Sequence, residues 1–156
     1  MQENVKLTLM SKIKVLTVYS MGFLYLVVGI QHFTNPSFFE AIVPPFFVYK
    51  EALVYISGFI EIAIAILLVV KKTRKIGAYI TIGLLVAVFP ANIFLYMSET
   101  AREVLDVTKH QALIRMPFQI PLIIIAYWHS QESSSNIFSI ISCLLFIPTL
   151  IYFVSL

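Results

Sequence analysis

Five apolar runs alternate with short polar segments along the chain, and each run is about as long as a hydrocarbon core is thick, roughly 20 residues at 1.5 Å per residue. They cover residues 14–31 ("KVLTVYSMGFLYLVVGIQ"), 53–70, 76–97, 112–128 and 137–156. Strands with open edges would leave backbone groups unpaired in lipid, so the runs predict helices. The first is too long for a signal-peptide core, and no small-x-small cleavage site follows it. The pattern therefore predicts an all-α, polytopic transmembrane helix bundle. Residues 1–13 form a cytoplasmic N-terminal segment, 14–130 a four-helix membrane domain with an interfacial loop at 33–51, and 137–156 an additional C-terminal span.

Composition agrees with this pattern. The 156 residues are 60% hydrophobic and 12% charged, with mean hydropathy +0.92, too little polar surface to cover a soluble domain. The net charge of +3 does not point to nucleic acid, because the basic residues collect at the ends of apolar runs, as in "KKTRK" (71–75). Lys6, Lys12, Lys14 and the KKTRK loop form one basic side, whereas loops 33–51 and 98–111 carry few Lys or Arg, offset by acids. The N-terminus and the KKTRK loop are thus expected to be cytoplasmic, with the other two loops outside. A lone cysteine, Cys143, excludes an internal disulfide and cannot build a zinc site by itself.

The first loop, "HFTNPSFFEAIVPPFFVYKE", reads as an interfacial lid. Asn35 is placed to cap a short helix with Pro36 at its first position, and Pro44-Pro45 to stop it. Phe38, Phe39 and Ile42 are expected on the membrane surface, with Phe46, Phe47 and Tyr49 at headgroup level. A plain aromatic anchor is the competing reading.

A charge at the bilayer centre costs roughly 2.5–3.5 kcal/mol and needs a partner. Glu61 lies in the middle of "YISGFIEIAIAILLVV", about 15 Å below Glu51 if helical. Its neighbours Ser57, Gly58 and Ala65 are small, suited to close helix contact. Gly22, Tyr25, Gly29 and His32 share one face of the first span. Thr81, Val88, Asn92 and Tyr96 align on the third, where Pro90 frees a carbonyl. Arg115, Gln119, Leu122, Ala126 and His129 align on the fourth, loosened by Pro117 and Pro121. The simplest pairing brings Arg115 to Glu61 with Asn92 and Gln119 as hydrogen-bond partners, either as a structural ion pair or as the lining of a ligand site. His129 and His110 read as loop-edge groups, and Cys143 as packing.

The segments "GIQHFTNPSFFEAIVPPFF", "YISGFIEIAIAILLVVKKTRKIGAYITIGLLVAVFPANIFLYM" and "RMPFQIPLIIIAYW", across about residues 15–128, resemble the DoxX family of small bacterial membrane proteins. The motifs HFxxPxxF, IVPP, SGxxE, TRxxGA, FPANI and RxPxQ occur in order. The resemblance implies a DoxX-like four-helix core, with the span at 137–156 as an addition. It places His32, Glu61, Asn92, Arg115 and Gln119 at the family's polar positions. It also implies links to redox complexes or to maturation of other proteins, and the lone cysteine speaks against disulfide exchange.

Three functions compete on this reading. One is an accessory subunit of a redox or envelope process whose Glu61, His32, Arg115 and Tyr25 hold a quinone. The chain has no haem, flavin or iron–sulfur motif, so electrons would come from a partner membrane or redox protein. The second is a non-enzymatic scaffold or assembly chaperone, and the third a small proton-coupled transporter. No self-contained catalytic motif is present. The bilayer is the expected surround, and a homo-oligomer is compatible with the pattern.

Overall fold

The computed structural model describes residues 2–154, whose regular elements are all helices, with no strand among them. The helices are α1 (Gln2–Thr34), α2 (Pro36–Glu40), α3 (Lys50–Val69), α4 (Arg74–Ala87), α5 (Phe89–Met97), α6 (Glu99–Val104), α7 (Lys109–Arg115), α8 (Gln119–Ser130) and α9 (Asn136–Val154). Five stretches are long and apolar enough to cross a membrane: Leu9–Thr34, Lys50–Val69, Arg74–Met97, Lys109–Ser130 and Asn136–Phe153. Among the described residues these five candidate spans make the chain a membrane protein. α1 begins at Gln2, so residues 2–13 continue the helix of the first span.

Two spans are each built from two helices. The third breaks at Val88, two residues before Pro90, which occupies the first turn of α5 where its missing N–H costs nothing. The fourth breaks at Met116–Phe118 around Pro117, whereas Pro121 sits in the first turn of α8 and breaks nothing. The fourth span starts earlier than hydropathy suggests because Thr108 and Gln111 form a capping box in front of α7.

The spans close into a ring in which α1 packs on α3, α3 on α4, α4 on α8, α8 on α9, and α9 back on α1. Every member contributes to one core: Val18 and Met21, Ile64 and Leu68, Ala78 and Leu84, Ile125 and Ala126, and Phe146. Large apolar side chains such as Phe23, Phe59, Ile66, Val86, Ile120 and Leu144 stay exposed on the outside of the ring, where lipid is their solvent. A second cluster of Leu95, Ala101, Leu105 and Ala112 fills one end of the bundle, and Phe38, Ala41 and Ile42 of the α2 region pack against it. The loop is therefore a lid over that end. Asn35 is the N-cap of α2, but its side chain makes no capping hydrogen bond.

The opposite end shows what the TRxxGA motif does locally. The last four carbonyls of a helix lack intrahelical donors. In α3 they are supplied by Val70 N–H to Ile66, Thr73 Oγ1 to Leu67, Arg74 Nε to Leu68 at 2.9 Å and Arg74 Nη2 to Val69 at 3.4 Å. Arg74→Gln is expected to cost about 1–2 kcal/mol of stability through these lost charge-assisted bonds, read as a lower melting temperature in detergent. A melting curve identical to wild type would show that the carbonyls find water instead.

Candidate functional site

Two polar clusters form within the spans, and the pairing differs from the expected one. Glu61 meets His32: Nδ1 of His32 lies 3.1 Å from Oε2 of Glu61, with both residues buried. Arg115 lies elsewhere, its guanidinium 6.0 Å from the ring centroid of Phe153 on α9. Sequence spacing places residues on helix faces, but which face meets which depends on how the ring closes. The glycines of α1 and α3 let those two helices approach far more closely than α3 approaches α7.

That approach is built from Gly29 and Gly58. A Cβ on Gly58 would lie 2.5 Å from Cβ of His32, and one on Gly29 would lie 2.9 Å from the carbonyl oxygen of Gly58. Small residues at such a crossing allow near backbone contact, which sets Glu61 against the last turn of α1. Above the pair, Phe39 of α2 stacks on the His32 ring at 3.6 Å between centroids and 21° between planes. Tyr25, half-buried two turns before His32 on α1, packs against the main core.

The hydrogen bonding of the pair is incomplete. Nδ1–H of His32 points along the helix to the carbonyl of Val28 at 2.9 Å. Glu61 Oε2 is at ion-pair distance but off that axis, and it is sealed without an aligned donor among the described residues. A buried carboxyl oxygen in that condition costs free energy unless a further donor, or its own proton, satisfies it. The unpartnered oxygen can thus accept a hydrogen bond from a further donor.

Gln119 and Asn92 are buried, and among the described residues neither hydrogen-bonds to this pair. Gln119 Nε2 donates to the Leu85 carbonyl at 3.3 Å, one of the carbonyls left open where α4 ends. Asn92 sits in α5 and makes no side-chain hydrogen bond among the described residues.

The second cluster was not expected. His129, read as a loop-edge group, is fully buried, whereas His110 is exposed. Thr17 Oγ1 donates to the Lys14 carbonyl at 2.9 Å and lies 3.0 Å from Nε2 of His129. Its single proton being used, Nε2 carries the hydrogen of that contact, and Nδ1 remains sealed without a donor. Lys14 Nζ donates to the Gln131 carbonyl at 2.6 Å and lies over the Trp128 ring, whose Nε1 donates to Ser134 and Ser139. The sequence signal was Lys14 and Thr17 one turn apart, level with a Trp-His pair ending the fourth span. The cluster ties α1, α8 and α9 together. Among the described residues no group of His, Cys, Asp and Glu is arranged to hold a metal ion.

No curated protein and no solved structure matches the chain. A family model described as a domain of unknown function, DUF8561, matches residues 21–130. The matched region runs from within α1 to the end of α8, so it contains His32, Glu61, Arg115 and His129 and leaves out α9. Covering well over half of the sequence, that match makes the chain a member of the DUF8561 family.

Proposed function

We propose that the protein is an accessory membrane subunit, of DoxX type, in a redox or envelope process of a bacterial inner membrane, and that His32 and Glu61 form the polar end of a site for a quinone-like lipophile. The observation that carries this reading is the stack of Phe39 on His32 beside an unsatisfied Glu61 oxygen. Phe39 occupies the place a planar ring would take. A quinol swung into that place would stack on His32 and donate a hydroxyl to Oε2 of Glu61. On oxidation the carboxylate takes that proton, the second hydroxyl gives its proton to water, and two electrons leave to a partner redox protein. The basic residues around Lys14 and Arg74 support a cytoplasmic position for that end, with the lid on the far side.

Gentle solubilisation followed by mass spectrometry of bound lipophiles tests this. Wild type is expected to carry a quinone that Glu61→Gln loses, and Phe39→Ala is expected to exchange it faster. Wild type carrying no such lipophile while retaining a partner protein, with Glu61→Gln behaving identically, would replace this reading by the scaffold. The scaffold would then bind through the exposed Phe46, Val48 and Tyr49, which are 70%, 84% and 78% accessible.

A further inference from the structure

Arg115 carries a charge that no described residue matches. It ends α7, about 9 Å along the span from Lys109, and is half-buried. Among the described residues its guanidinium has no hydrogen-bond acceptor and no carboxylate; the single ion pair found there is His32–Glu61. Its surroundings are aromatic. Phe153 lies at 6.0 Å, Phe118 stacks on Tyr152 at 4.3 Å, and Tyr152 meets Phe153 edge-on at 5.2 Å. Tyr152 Oη donates to the Gln111 carbonyl at 2.9 Å, which pins the end of α9 to α7.

A half-buried guanidinium with five donors and no acceptor among the described residues is free to take an anion. The ring contact offsets only part of the charge, about 0.5–2 kcal/mol. We infer that the crevice between α7 and α9 at the lid end is a binding site for an anionic phospholipid, with its phosphate on Arg115 and its first acyl carbons against Phe118 and Phe153. Guanidinium matches phosphate geometry with paired N–H donors, and its stem spans the short distance to headgroup level. Basic crevices between spans are suited to such headgroups. The inference is independent of the His32–Glu61 reading, because the two sites share no residue.

The test is native mass spectrometry of the full chain released from micelles containing equal phosphatidylglycerol and phosphatidylcholine. Wild type is expected to retain one phosphatidylglycerol through collisional activation that strips other lipids. Arg115→Gln is expected to weaken that retention about tenfold, the loss of a charge-assisted hydrogen bond. Arg115→Lys, which keeps the charge and the fold, is expected to be intermediate. Lys71→Gln/Lys72→Gln, exposed at the other end, is expected to leave the last lipid in place. Equal retention by wild type and Arg115→Gln would overturn the inference, as would loss of the lipid in the Lys71/Lys72 double variant. An Arg115-dependent partner protein in place of the lipid would also overturn it. Should Arg115→Gln fail to fold, Arg115→Lys and the double variant still decide.

Discussion

Replacing Gly58 by alanine is expected to destabilise the bundle by about 1–3 kcal/mol, while the same change at Gly83 is expected to be neutral or to stabilise by up to about 1 kcal/mol. A Cβ at 58 would stand 2.5 Å from His32 Cβ, 3.0 Å from a ring carbon of Phe33 and 3.1 Å from the Gly29 carbonyl oxygen. Two of these neighbours belong to or sit directly on the α1 backbone, so α1 and α3 must separate. At Gly83 the added methyl meets nothing within 4 Å and only the helix preference remains. The pair isolates the close crossing from the general effect of removing glycine. Because the crossing also sets His32 against Glu61, Gly58→Ala should lose bound lipophile in step with its stability, and Gly83→Ala should keep it. Thermal melts in one detergent, with lipophile content measured on the same samples, read both. A Gly58→Ala protein as stable as wild type would mean that the two helices are not in close contact.

The second large effect is an asymmetry within the His32–Glu61 pair. His32 keeps its hydrogen bond to Val28 whatever stands at 61, so Glu61→Leu leaves no new unsatisfied group and is expected to be neutral or stabilising. His32→Leu instead removes the polar neighbour of a sealed carboxyl oxygen and also the ring on which Phe39 stacks. It is expected to cost about 1–3 kcal/mol. The double variant His32→Leu/Glu61→Leu should recover most of that loss, since the carboxyl that paid the penalty is gone. All three are expected to lose the lipophile. Stability and binding would then part company, which is the mark of a carboxylate kept for use rather than for folding. Equal destabilisation by the two single changes, with binding intact in Glu61→Leu, would make the pair structural.

Much of the architecture was legible from hydropathy, because lipid demands an apolar run of fixed length with every backbone group satisfied internally. The five spans follow from that demand, as do the breaks near Pro90 and Pro117, where a ring nitrogen cannot donate. The lid was legible from its aromatic and proline content, and Glu61 stood out as a charge where charge is costly. Span ends were less so: the start of α7 depends on a polar capping box and α1 continues into a polar segment, neither of which hydropathy registers.

The partners were another matter. Periodicity assigned Glu61 to a face of small residues and Arg115 and His129 to one shared stripe, but it named no partner. Tertiary structure decided that Glu61 meets His32, because glycines at 29 and 58 bring α1 against α3 at that level. It also turned Arg115 toward the aromatic end of α9, and sank His129 against Thr17 between α1 and α8. The physical reason is common to all three. A residue's face is a property of its own helix, whereas its partner depends on the order and spacing in which five helices close into a ring.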